Sequence, residues 1–151
     1  MIVCTIKWNK KTAVLLLIAI AVLLVIFVLA LGRPPEAADG RIESAGDASG
    51  FLESLGWTVD PNSVEERIVV IPEEFSAIYD EYNDMQKASG YDLSDYCGKQ
   101  VTIYTLSLKN YPDYNGNVVS DVYVYKGKII GGDIHSLEFD GFMHGLCRNA
   151  N

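Results

Sequence analysis

Val-Val-Ser-Asp-Val-Tyr-Val-Tyr-Lys-Gly-Lys-Ile-Ile-Gly-Gly-Asp-Ile-His, residues 118–135, is the stretch that decides the fold. Two runs rich in β-branched and aromatic residues flank Lys126-Gly127, so Val118 to Tyr125 and Lys128 to His135 form a hairpin. In a regular two-residue hairpin Val124 faces Ile129, Val122 faces Gly131, and Asp133 shares the face of Val122 and Val124. A one-residue bulge at Gly131-Gly132 instead brings Ile134 inward and releases Asp133. Glycine pairs inside strands often mark such bulges, and one is expected here.

Upstream, Tyr111 to Asn117 holds Pro112, Gly116 and two Asn and reads as a turn region. Val101 to Lys109 is a strand, with Val101 and Ile103 on one side and Tyr104, Leu106 and Leu108 on the other. The change of apolar side suggests a twist or bulge. Tyr91 to Gly98 is a loop or short helical turn. Before it, Pro72-Glu73-Glu74 opens a helix in which Phe75, Ile78, Tyr79, Tyr82 and Met85 recur at helical spacing, and Gly90 ends it. Val64 to Ile71 is a strand stopped by Pro72, and its continuous run Ile68 to Ile71 predicts cover on both faces. Phe51, Leu52 and Leu55 mark a short helix closed by Gly56. The fold class expected is α+β: two layers, with two helices on one face of a mainly antiparallel sheet of about four strands.

Outside this domain the chain changes character. Residues 13–31 contain no polar side chain. As a helix they reach roughly 28 Å, close to the ~30 Å hydrocarbon core, so the domain is expected to follow one transmembrane helix. Lys7, Lys10 and Lys11 precede the run and Arg33 is the one close cation after it, which places residues 1–12 in the cytoplasm and the rest outside. The alternative is a signal peptide cleaved at Ala30-Leu31-Gly32, but signal cores run about 7–15 residues and this run is longer. Cys4 lies before the run, which argues against lipid attachment after it. Residues 32–50 hold four Gly, two Pro and almost nothing large and apolar, and read as a flexible tether. Residues 51–148 remain for the extracytoplasmic α+β domain.

All 20 acidic residues follow position 32, against nine basic ones there, a net of −11 outside the membrane. Such a surface repels phosphate backbones, so nucleic acid is excluded as a partner. Cys97 and Cys147 both lie outside, where a disulfide is chemically allowed, but their spacing alone does not show that they meet.

The segment after the hairpin holds both histidines. Asp133 and His135 point to one side of a regular strand, and Asp140 and His144 are four apart. A mixed carboxylate–imidazole set of this kind suits zinc or another divalent ion. No strong zinc spacing is present, and metal ligation is the weaker expectation. No nucleophile elbow surrounds Cys97 or Ser136, and Gly131-Gly132 is no phosphate loop. No cofactor and no enzymatic activity are expected. Tyr123 and Tyr125 alternate onto one strand face, which is either packing or a binding face for sugars or proteins.

Ser-Leu-Gly-Trp57, Val-Ile-Pro-Glu-Glu-Phe75, Tyr-Asn-Asp-Met-Gln-Lys87, Asn-Tyr-Pro112, Gly-Gly-Asp133 and Asp-Gly-Phe-Met-His-Gly-Leu146 occur in this order. Together they resemble domain-of-unknown-function family 4830, small membrane-linked or secreted proteins of Firmicutes, over roughly residues 50–147. The resemblance implies a bacterial envelope setting and transfers no activity, cofactor or site residue. In an anaerobic host it also disfavours the 97–147 disulfide. The expected function is a non-enzymatic interaction or binding module at the outer side of the cell membrane, contacting an envelope protein or a cell-wall polymer. The alternatives are a cell-wall ligand-binding or hydrolytic module, or a metal-responsive sensor.

Overall fold

Strands β1 (Glu65–Val70), β2 (Gln100–Leu108), β3 (Val118–Tyr125), β4 (Lys128–Ser136) and β5 (Met143–Gly145) form one antiparallel sheet in sequence order. Helix α1 (Ala45–Ser54) precedes β1, while α2 (Ala77–Ala88) and a 3-10 turn (Leu93–Tyr96) connect β1 to β2. The computed structural model describes residues 41–147. The expected cytoplasmic segment 1–12, the apolar run 13–31 and the tether up to residue 40 lie outside the described residues. Among the described residues no helix is long and apolar enough to cross a membrane.

The sheet has five strands rather than four. β5 is three residues long and too short to show an alternating pattern. It exists because Gly145, His144 and Met143 pair with Asp133, Ile134 and His135. The hairpin forms as expected. Lys126 (φ 50°) and Gly127 (φ 81°) both take positive φ, as a primed turn between right-twisted strands requires.

The bulge is present, but it lies on Ile130. Val124 pairs with Ile129 and Tyr123 with Gly131, so Ile130 is the extra residue. Downstream, Val122 faces Gly132 and Asp133 faces Asp121. Ile134 does turn into the core, fully buried. Asp133 is not released: it moves to the opposite face and is only 2% exposed there. That opposite face is covered too, which explains the difference.

Alternation along β2–β4 defines the two faces. Tyr104, Leu106, Leu108, Val118, Val122, Val124, Ile129 and Ile134 share one core with Phe51 and Leu52 of α1, Trp57 and Leu146. Val101, Ile130, Tyr123 and Tyr125 share the other with Phe75, Tyr79, Tyr82, Leu93 and Tyr96. The helices therefore take opposite faces, and the sheet is the middle layer rather than one of two. The same fact corrects the reading of β2: its pairing with both neighbours is continuous, and its apolar side chains point both ways because both faces are buried.

α1 begins before the compositional boundary at residue 50. The Ser44 hydroxyl accepts from Asp47 N–H while the Asp47 carboxylate accepts from Ser44 N–H at 2.9 Å, a reciprocal capping box. Ile42 and Ala48 are buried, so residues 42–50 belong to the domain. α2 also starts later than Pro72: Ser76 caps it through Tyr79 N–H. Its buried side is Tyr79, Tyr82, Asn83 and Gln86, whereas Ile78 is 81% exposed.

Cover on both faces of Ile68 to Ile71 does not occur. Ile68 is 64% and Val70 60% exposed. The core beneath α1 draws on β2, β3 and β4 and takes no side chain from β1, which is the sheet edge.

Candidate functional site

β3 and β4 place Asp121 and Asp133 directly opposite one another on the α2 side of the sheet. Two buried carboxylates at a cross-strand position repel unless donors hold them. Each oxygen has one such group. Asp133 Oδ2 accepts from the Tyr82 hydroxyl of α2 at 2.6 Å, and its Oδ1 accepts from His135 Nδ1–H at 2.7 Å. Asp121 Oδ1 takes the Thr105 hydroxyl of β2, and Oδ2 takes Arg67 Nη2 of β1 at 3.0 Å. The network thus links four strands and one helix.

Burial sets its electrostatics. It pushes the Asp121 carboxyl above the usual carboxylate range, more than Thr105 and Arg67 lower it. The hydrogen bond to Asp133 raises His135, with desolvation opposing. Tyr82 is held far above its ordinary value by burial and then by the charge of Asp133. Tyr123, whose ring lies 6.1 Å from that of Tyr82, is pushed up to about 12, chiefly by burial. Among the described residues His135 Nε2 has no hydrogen-bond partner, so this nitrogen is where the network can exchange a proton with its surroundings.

Asp121, Asp133 and His135 can each present one ligand atom within 4.8 Å of the others. The Arg67 guanidinium already supplies positive charge at Asp121. The four expected metal candidates do not converge. Asp133 and His135 meet, while Asp140 sits exposed in the turn between β4 and β5. His144 pairs with Ile134 and so lies on the α1 face, where Nε2 meets the Tyr111 hydroxyl at 3.0 Å. Ser136 bonds Tyr114 on that same face, away from His135. Cys97 and Cys147 are free thiols, not a disulfide.

Tyr123 and Tyr125 do not form an open binding row. Tyr82 packs on Tyr123, and Tyr96 packs edge-on to Tyr125 at 5.5 Å. The aromatic face is the seat of α2 and the 3-10 turn. A recess of about 440 Å³ opens beside it, lined by Lys87, Tyr91, Asp92, Tyr96 and Lys128. It does not contain Asp121 or Asp133, so the aromatic walls and the buried carboxylate pair belong to different places.

Sequence reading missed Asp121, Tyr82, Thr105 and Arg67. One signal was available: Asp121 is the one charged residue in a strand that, Ser120 apart, carries only β-branched and aromatic side chains. Gly131-Gly132 is explained by close approach. A Cβ on Gly131 would lie 2.9 Å from Gln86 Oε1, and one on Gly132 would strike the Asp121 carbonyl oxygen. Gly132 N–H donates to that same Gln86 Oε1 at 2.8 Å, fixing α2 beside the bulge.

The family model described as a domain of unknown function, DUF4830, matches residues 51–134. The chain belongs to the DUF4830 family. The match takes in Arg67, Tyr82, Thr105, Asp121 and Asp133, and stops one residue before His135. Most of the polar network is therefore within the DUF4830 region, while β5 lies beyond it. No curated protein and no solved structure matches the chain.

Proposed function

We propose that this DUF4830 protein is a single-pass envelope protein whose extracytoplasmic domain is a non-enzymatic binding module. The apolar run 13–31, with lysines before it and 20 acidic residues after it, supports the anchor and its orientation. For the domain's role, the observation that carries the reading is the contrast between its polar cluster and its edge. The four oxygens of Asp121 and Asp133 are all engaged, three by side chains of the sheet and one by Tyr82 of α2. The β1 edge, by contrast, has one neighbour in the sheet and exposes Ile68 and Val70. Exposed apolar edge strands are templates for added strands, so the binding surface is this edge.

The test is fractionation combined with photo-crosslinking from position 68 in intact cells. The expected result is a membrane-bound protein whose domain is cut by external protease and which forms a defined adduct through position 68. A freely soluble protein with its first residues intact would overturn the anchor. A membrane-bound protein without an adduct would overturn the binding surface.

A further inference from the structure

We propose that the β1 edge pairs with β1 of a second copy of this chain, antiparallel about a two-fold axis at Ile68. The inference rests on the binding-module reading above and names its partner.

The backbone orientation is determined by the residues next to the strand. Ile71 N–H donates to Lys99 O, and Gly98 N–H donates to Ile71 O, so Ile71 directs both groups toward β2. In an antiparallel ladder these directions alternate. Glu66, Ile68 and Val70 therefore direct their N–H and C=O groups to the open edge; their side chains are exposed, as are those of Glu65 and Arg67.

A continuous sheet formed by two copies must keep each face on the same side, which allows two-fold axes only at residues. Three fall in the central part of β1. An axis at Arg67 sets Arg67 against its own copy, a like-charge pair at the closest cross-strand distance. An axis at Val69 sets Glu66 against Pro72, which has no N–H to give. An axis at Ile68 pairs Ile68 with Ile68, Glu66 with Val70 and Arg67 with Val69. No like charges meet directly, the six outward N–H groups each gain a carbonyl, and both exposed isoleucines are covered. The strand is complementary to itself in this one register. The sheet would continue across the axis as ten strands.

The contact is small. A six-residue strand extends only about 20 Å, so its interface falls short of the ~800 Å² per partner of stable complexes. Pairing is therefore expected at the high local concentration of anchored chains rather than in dilute solution.

The test uses full-length protein in native membranes with Cys4, Cys97 and Cys147 changed to serine. Hydrogen-bonded cross-strand pairs have Cα atoms about 5.5 Å apart, within disulfide range. Under mild oxidation Ile68→Cys is expected to form at least five-fold more covalent dimer than Ile78→Cys on exposed α2. Glu66→Cys and Val70→Cys should crosslink when co-expressed and not when expressed singly. Position 68 on one chain yielding adducts with a different protein, and none with itself, would overturn the second-copy inference and leave the binding surface intact. No adduct of any kind at position 68 would overturn both. These side chains are exposed, so the variants keep the fold; equal thermal melting of all four checks this.

Discussion

The hydroxyl of Tyr82 on α2 lies 2.6 Å from Oδ2 of Asp133 on β4, joining residues 51 positions apart. Asp133 is 2% exposed, so that oxygen has no easy access to water in place of the phenol. Tyr82→Phe keeps the ring against Tyr123 and removes only the donor. It is expected to lower stability by about 1–3 kcal/mol, the cost of leaving a buried acceptor unsatisfied. Urea unfolding of the wild type and variant would measure it, and a change below about 0.5 kcal/mol would mean the bond is dispensable.

The charge state of the same network predicts a pH dependence. His135 has a folded pKa above its unfolded value. Its stabilising contribution is therefore complete below about pH 6.5 and is lost as pH rises through the folded value. Asp121 is also raised, so its ionisation works against folding once pH exceeds about 4. Asp92 acts in the opposite direction: hydrogen bonds from Ser94 and Asn83 lower it to about 2, so its contribution is lost only as strong acid protonates it. The melting temperature is expected to peak on the acid side of neutrality and to fall as pH rises past about 6.5. His135→Gln should flatten that fall, as calorimetry across the range would show.

The two adjacent glycines of β4 should differ in tolerance. A methyl on Gly132 meets the Asp121 backbone oxygen, which is fixed in the strand, as well as the end of the Leu146 side chain, whereas one on Gly131 meets only the ends of the Gln86 and Leu93 side chains. Gly132→Ala is expected to cost about 1–3 kcal/mol or more through overpacking, and Gly131→Ala less. Comparable losses at both positions in denaturant titration would contradict this packing.

Cys147 is exposed and Cys97 half-buried, with no bond between them. Both should react with a thiol reagent without prior reduction, Cys147 faster. Replacing both with serine is expected to change stability by about 0.5 kcal/mol or less. A loss of several kcal/mol would instead indicate a disulfide in the native protein.

Much of the fold is legible along the chain. The β-branched runs of β3 and β4 and the Lys126-Gly127 reversal specify the hairpin locally. The bulge is legible in kind, because one extra residue is what brings Ile134 inward. Its position at Ile130 is not, because it follows from tertiary contacts: Gln86 of α2 reaches the Gly132 amide and crowds Gly131, while the Asp121 carbonyl and Leu146 crowd Gly132. The site was half visible. Asp133 and His135 lie two apart in sequence, whereas Asp121, Thr105, Arg67 and Tyr82 join them only through strand register and helix docking.

Local sequence by itself therefore determined the types of the longer elements, the antiparallel hairpin and the family, since these depend on residues within a few positions of one another and on motif order. The sequence also contains the long apolar stretch near its start, whose membrane role remains a proposal. Tertiary structure alone decided which face each helix covers, that Asp133 faces Asp121, that His135 and His144 point to opposite faces, and that Ile68 stays exposed. The physical reason is that a strand's two-residue repeat divides its side chains between two faces but does not say what covers either. That depends on where distant helices dock and on a single inserted residue that reverses every side chain after it.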